Sequence, residues 1–377
     1  MMKKRVTIRL LILLVGPFFG IGLAFGLVDV KEMHIDTAGN TQGLAVAGYY
    51  VYLADGTEGL KIINISNRHV FTATGTMVIP GADINQVAVD GDVAVVTDTY
   101  QKVHFVDVDN KMKPTLMGSL PAQGDIPRAV AARDGMAFVV ERGNQKSDPD
   151  YFSGLEIFTY KQQLQQLLLL DIPDARDVAA TANLFIVAGG QTLYLYQRPG
   201  KQKVTVGLSP MATLAMPAVE EINSIVVPED LPTRTRYLFA FGKLQLYVID
   251  FSKPAQPVIL DQHPVAGETA NRRVDAACIE EFLPCSHIIV LLTTQKSYGL
   301  FQYLTKSGKL SPLPMIDLNT SSQVSMRDVY NVSKGEIQIF DAALSRYYYP
   351  GLLKGGTCAV GALGEYGMGF VQMSLSP

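Results

Sequence analysis

Apolar and polar residues alternate with a period of two through most of the chain, most cleanly in "GLAVAGYYVYLADGTEGLKIINIS" from Gly43 to Ser66. That period puts successive side chains on opposite faces of a strand, so the stretch predicts two antiparallel strands around the turn at Asp55 and Gly56. The pattern then returns. "VAGYYVYLADGTEGLKIINIS" from Val46 aligns without a gap on "VDGDVAVVTDTYQKVHFVDVD" from Val89, with Gly48 on Gly91, Asp55 on Asp98 and Ile62 on Phe105. Further copies start at Ala132 (interrupted by "NQKSDPDYFS"), Val178, Arg236 and His287. A last copy reads from "DVYNVSKGEIQIFDA" at Asp328, with "GFVQMSLSP" from Gly369 echoing "GLKIINISN" from Gly59.

Between copies lie further strand-like runs, "FTATGTMV", "PTLMGSL", "LLLLDIP" and "PVILDQHPV", which bring each unit to four strands. Units of about 40 to 50 residues with four short antiparallel strands are the signature of propeller blades. A lone blade cannot bury both faces, so the blades must ring. The expected fold is an all-β, seven-bladed β-propeller of four-stranded antiparallel blades. "VDVKEMHI", Val28 to Ile35, is expected to supply the outermost strand of the last blade and so close the ring. The chain has no Trp, which argues against the WD variety.

"VAGYYVYLADGTEGLKIINIS", with "VHFVDVDNKMKP" and "LYVIDFSKPAQP", resembles the LVIVD-repeat family of exported bacterial and archaeal propellers. Its repeats read as Gly, an aromatic-rich strand, an Ala-Asp-Gly turn, Gly-Leu, then Ile-Val-Asp-Ile-Ser-x-Pro. The first copy departs at Asn64, where the pattern carries Asp; the second keeps Asp107 and the fifth Asp250. The resemblance implies fold and compartment and brings no catalytic activity with it.

Composition adds limits. The 377 residues carry a net charge of -3, with no Lys/Arg run beyond the N-terminus, so the chain lacks the electrostatic footprint of a nucleic-acid binder. At the start, Lys3, Lys4, Arg5 and Arg9 precede an uncharged apolar run from Leu10 to Val28, with small residues at Ala24 and Gly26. This reads residues 1–26 as a signal peptide or an uncleaved membrane anchor and 27–377 as the propeller domain. The expected location is periplasm, cell surface or secreted. The three cysteines permit at most one intramolecular bridge, and Cys278 and Cys285 in "CIEEFLPC" could staple a local hairpin.

Candidate chemistry gathers where the innermost strands begin. Aligning "NTQGLAV", "DINQVAV", "DIPRAVA", "DARDVAA", "EINSIVV", "RRVDAAC" and "SMRDVYN" places Gly43, Gln86, Arg128, Asp177, Ser224, Asp275 and Asp328 at one level of the channel mouth. Arg176, Arg273 and Arg327 stand immediately before three of them. Converging carboxylates and guanidinium groups suit a small polar ligand or a hard cation; the same groups could instead pair and pin blades together. Asp55 and Asp98 recur in turns, where Asp caps its own backbone. The five histidines fall in no catalytic or metal motif. Two stretches read as insertions between second and third strands: the "NQKSDPDYFS" segment with Tyr151 and Phe152, and Leu344 to Met368 with Tyr347, Tyr348 and Tyr349. Long loops on a rigid scaffold carry binding, and these tyrosines either contact a partner or pack as a lid. The expectation is a monomeric, non-enzymatic, cofactor-free scaffold binding an envelope protein or polysaccharide, touching membrane only through an uncleaved N-terminal segment. The alternative is small-ligand or cation binding at the mouth, as a sensor or enzyme.

Overall fold

In the computed structural model the structure describes residues 8–9, 26–35, 37–66, 71–123, 126–142, 152–199, 208–217, 220–228, 236–265, 273–278, 287–293, 297–312, 316–317, 341–347, 356–362 and 368–376. Strands β1 (Ile8–Arg9) and β2 (Gly26–Ile35) open the chain but belong to its last sheet. The first sheet is β3 (Gly43–Ala47), β4 (Tyr50–Ala54), β5 (Leu60–Asn64) and β6 (Thr72–Met77). The second is β7 (Ile84–Asp90), β8 (Val93–Asp98), β9 (Lys102–Asp107) and β10 (Thr115–Pro121). The third is β11 (Pro127–Arg133), β12 (Met136–Arg142), β13 (Ser153–Thr159) and β14 (Gln165–Asp171). The fourth is β15 (Ala175–Ala180), β16 (Leu184–Gly189), β17 (Thr192–Gln197) and β18 (Ala212–Ala215). The fifth is β19 (Ile222–Val226), β20 (Tyr237–Gly242), β21 (Gln245–Asp250) and β22 (Val258–Pro264). The sixth is β23 (Arg273–Cys278), β24 (His287–Thr293), β25 (Ser297–Leu304) and β26 (Lys309–Pro312), with β27 (Ile316–Asp317) also pairing β25. The last begins with β28 (Asp341–Tyr347), β29 (Gly356–Ala362) and β30 (Met368–Ser376).

Every pairing among these strands is antiparallel, and the first six sheets keep sequence order. Tight turns make this possible: Gly48 and Gly91, in equivalent first-to-second-strand turns, adopt φ of 59° and 60°, a left-handed conformation open to glycine at no steric cost. The first strands contact one another in a circuit, β3 on β7, then β11, β15, β19, β23 and β28, which returns to β3.

The core lies between neighbouring sheets. Where a sheet is covered on both faces its second strand carries a continuous apolar run, as in Met136–Val140, instead of alternating. Phe105 meets Phe158 edge-on at 6.3 Å between the second and third sheets, and Phe138 meets Phe185 at 5.1 Å between the third and fourth. Burying each such ring contributes about 2–3 kcal/mol.

The chain ends close as the alternation suggests: β2 pairs β30 from Gly26 opposite Ser376 to Ile35 opposite Met368. The short β1 adds outside it, Ile8 facing Val30. The last sheet corrects the sequence reading. Its first two strands are β28 and β29, so Leu344 to Met368 is no insertion between second and third strands; it spans most of β28 and all of β29. "DAALSRY" and "GTCAVGA" are built largely of small residues and lack the bulky alternation that marks "EIQIF" upstream. Residues 328–340, which carried the expected strands, lie outside the described residues. The strand "ATLA" (β18), which pairs Thr192–Leu195, gave no signal beyond four residues of low bulk.

Candidate functional site

The starts of the first strands share a local irregularity. In the second sheet Ile84 pairs Asp98 while Gln86 pairs Thr97, leaving Asn85 as an extra residue. The same β-bulge places Arg128 between Pro127 and Ala129, Arg176 between Ala175 and Asp177, and Asn223 between Ile222 and Ser224. A bulge re-aims its extra side chain out of the ladder. Arg128 therefore occupies the position of Arg176, and Ala129 that of Asp177, one step from the sequence alignment. In the sixth sheet the ladder is unbroken and Asp275 pairs Leu291.

The re-aimed groups reach the next sheet. Arg176 donates from Nη2 to Glu221 Oε2 at 2.8 Å and from Nη1 to Asn223 Oδ1 at 3.1 Å. Asp177 accepts at Oδ1 from its neighbour Val178 N at 2.9 Å and at Oδ2 from Ile225 N of β19 at 2.8 Å. Asn85 donates to Pro127 O of β11 at 2.9 Å and is itself held by Thr97 Oγ1 at 2.7 Å. Ser224 Oγ accepts from Val274 N of β23 at 3.3 Å. Apart from the local bonds to Val178 N and Thr97, these bonds tie the start of one sheet's first strand to that of the next sheet.

Other candidates are placed less centrally. Arg128 is exposed, with Nε 3.5 Å from Arg142 O, and Gln86 is half-buried. Asp275 accepts from Ala276 N at 2.8 Å, the same local bond that Asp177 makes. Gly43 is required sterically: a Cβ there would lie 2.6 Å from Asn85 O and 2.8 Å from Gln86 Cα. Phe152 is half-buried just before β13, Arg273 opens β23, Tyr347 closes β28 and Cys278 closes β23. Arg327, Asp328, Tyr151, Tyr348, Tyr349 and Cys285 lie outside the described residues. Among the described residues no group of three or more His, Cys, Asp or Glu side chains is placed to hold a metal ion.

A second constellation recurs near the second-to-third-strand turns. In the second sheet Val96 pairs His104, and Asp98, two residues on, reaches diagonally back to it: His104 Nε2 to Asp98 Oδ2 is 3.0 Å. Asp98 is fully buried and also accepts from Tyr100 N and Lys102 N, each at 2.9 Å. Here the turn aspartate caps backbone as its residue type suggests, but it does more. In the first sheet Leu53 pairs Lys61 and the diagonal partner is Asp55, 3.6 Å from Lys61 Nζ. Asp55 leaves its own turn uncapped and holds the incoming chain instead, accepting from Thr37 Oγ1 at 2.7 Å, Thr41 Oγ1 at 2.6 Å and Gly39 N at 3.2 Å. In the fifth sheet the diagonal residue of Tyr247 is Gly242, and Glu220 fills the vacated space. It accepts from Leu244 N, from Gln245 N at 2.7 Å and from Tyr247 Oη at 2.5 Å. Burial and that bond push the Tyr247 phenol above its ordinary range. The third sheet pairs Val139 with Glu156, and its diagonal residue is Glu141. The equal spacing of Asp55 to Lys61 and Asp98 to His104 is the signal by which sequence could have found these clasps.

Comparison with known proteins agrees with this architecture. Among solved structures the chain is similar to the WD40 β-propeller domain of Doa1 (TM-score 0.55, 11% identity, covering 94% of this chain and 97% of that one). It is also similar to Saccharomyces cerevisiae Sqt1 (0.55, 10%, 90% and 98%) and to the RRP9 WD40 repeats (0.60, 10%, 92% and 97%). At such identities the likeness speaks for the fold alone. No curated protein matches the chain. The family model for the LVIVD repeat matches residues 38–75 and 81–121, which take in β3 to β5, most of β6 and all of β7 to β10. The chain therefore carries two segments that match the LVIVD repeat, set in a β-propeller fold.

Proposed function

We propose that the chain is a seven-bladed, exported propeller scaffold, its ring closed by β2, that binds a protein or polysaccharide of the cell envelope through its second-to-third-strand connections, without catalysis. The supporting observation is the contrast among those connections. In the fourth sheet Gly190 and Gln191 suffice, whereas residues 143–152 join β12 to β13. Such unequal loops on a repeated frame are where recognition diversifies. The polar groups at the first-strand starts favour the same reading, since Arg176 and Asp177 direct hydrogen bonds to the neighbouring sheet.

The test replaces residues 143–152 with a Gly-Gln turn and compares cross-linked partners from envelope extract with those of the unaltered chain. Loss of a partner that an Arg128→Ala variant retains supports the loop. Retention of every partner by the shortened variant, with loss in Arg128→Ala, assigns binding to the first-strand starts and overturns the proposal.

A further inference from the structure

The first sheet departs from the clasp pattern where the two ends of the chain meet. In the second sheet the turn from Thr99 to Lys102 contains no glycine and Gln101 stands at a φ of 59°. There the Asp98 carboxylate holds the turn at Tyr100 N and Lys102 N. The equivalent turn of the first sheet closes on backbone bonds instead. Asp55 N donates to Gly59 O at 3.1 Å, Glu58 N to Asp55 O at 3.1 Å and Gly59 N to Gly56 O at 3.2 Å. Gly56 and Gly59, with φ of 62° and 81°, make that geometry accessible. A turn that supports itself leaves its carboxylate for contacts elsewhere.

Asp55 directs both oxygens at residues 37–41, the strap that leads from β2 into the first sheet. Thr37 Oγ1 and Thr41 Oγ1 both donate to Oδ1, at 2.7 and 2.6 Å, and Gly39 N donates to Oδ2 at 3.2 Å. Thr37, Thr41 and Asp55 are all buried, so these bonds to a carboxylate are strong when made and costly when lost. Lys61 Nζ, 3.6 Å from Oδ2, supplies the balancing charge. The strap follows Ile35, the last residue of β2, which lies opposite Met368 of β30. Ile35 and Met368 pack in turn with Leu44, Val51 and Leu53 of the first sheet. On its far side the same turn bridges to the second sheet, Gly56 N donating to Ile84 O at 3.2 Å and Ile84 N to Gly56 O at 3.1 Å. One turn therefore fastens the exit of β2 to two successive sheets.

We infer that Asp55 is the latch of the seam between the last and first sheets: β2 and residues 37–42 detach from β30 and the first sheet as one unit, and the Asp55 carboxylate sets how often they do so. The seam is then the place where the molecule opens while its other sheets stay folded. This holds whatever the propeller binds. Asp98, the matching carboxylate of the second sheet, secures its own turn and exerts no such control.

Hydrogen exchange of the full chain, resolved by segment under native conditions, tests this. In Asp55→Ala, β2 and residues 37–42 should exchange about ten- to a hundredfold faster than in wild type, the range expected when hydrogen bonds to a charged group are lost. Strands β12, β13, β16 and β17 should keep their wild-type rates, and Asp98→Ala should leave β2 at its wild-type rate. Unchanged exchange in β2, an equal acceleration of every sheet, or the same acceleration of β2 by Asp98→Ala overturns the proposal. If Asp55→Ala does not fold, Thr37→Val deletes one strap donor and leaves the carboxylate and its turn in place. Exchange in β2 must quicken there as well, and an unaltered rate overturns the latch.

Discussion

His104 Nε2 lies 3.0 Å from Asp98 Oδ2 while its Nδ1 lies 2.7 Å from Ser119 Oγ on β10. His104 is thus held at both ring nitrogens, by the aspartate on one side and the serine on the other. The order serine, histidine, aspartate is that of a hydrolytic relay, yet the same diagonal is filled by Lys61 with Asp55 and by Tyr247 with Glu220, where no nucleophile stands. The recurring element is the clasp. Asp98→Ala leaves Tyr100 N, Lys102 N and the imidazole without an acceptor and should cost about 3 kcal/mol. Ser119→Ala, at the exposed end, should cost about 1 kcal/mol or less. Equilibrium denaturation of the two variants checks this, and equal losses would count against a buried clasp.

Asp90 joins the second sheet to the third, accepting at Oδ2 from Tyr160 Oη at 2.7 Å and from Gly135 N at 2.8 Å, with Lys161 Nζ at 3.6 Å. Burial alone would raise its pKa, but these donors and the ammonium outweigh burial and hold it below the ordinary carboxylate range. An acid with a depressed folded-state pKa stabilises above its unfolded value and loses that contribution as pH falls. Tyr160→Phe should therefore destabilise by about 1 kcal/mol at neutral pH, and the gap should narrow on acidification. Denaturation midpoints as a function of pH measure it.

Gly39 lies in the segment that Asp55 holds, and a Cβ there would sit 2.1 Å from Asp55 O. The obstacle is backbone, which cannot rotate aside. Gly39→Ala should lower stability by about 1–3 kcal/mol, whereas Gly48→Ala meets no atom within 4 Å and suffers only from its positive φ. Thermal melts of both variants separate a clash from a backbone preference.

Asp177 links β15 to β19 through Ile225 N. Asp177→Ala strands that amide and should cost about 1–3 kcal/mol, while Asp177→Asn, which keeps an acceptor oxygen, should cost less. Hydrogen exchange at Ile225 reports the linkage directly: faster exchange in the alanine variant is expected, with unchanged exchange at Phe239 in the same sheet.

The repeat made the frame legible, because a period-two pattern with glycine turns survives large changes of side chain. Three things were hidden for physical reasons. The bulges at Asn85, Arg128, Arg176 and Asn223 insert one residue without altering polarity, so the repeat pattern alone puts Arg128 one step from its place in the ladder. Glu220 substitutes for a missing carboxylate at Gly242 from a different segment, and nothing local announces such a compensation. In the last sheet small residues replaced bulky ones, and the alternation that identifies a strand faded in β28 and β29. Gly43 looked like a gap in a ring of polar residues; the approach of Asn85 and Gln86 explains why nothing larger than hydrogen fits.

The pairing of β2 with β30 sets the order of assembly. Gly26 and Ser376, opposite one another, lie almost a whole chain length apart in sequence, so among the described ladders this one has the largest loop to close. The early hairpins can form locally, but apart from its two-residue pairing with β1, β2 must wait for residues 368–376 before its ladder can form. Completion of the last sheet is therefore expected to come late in folding.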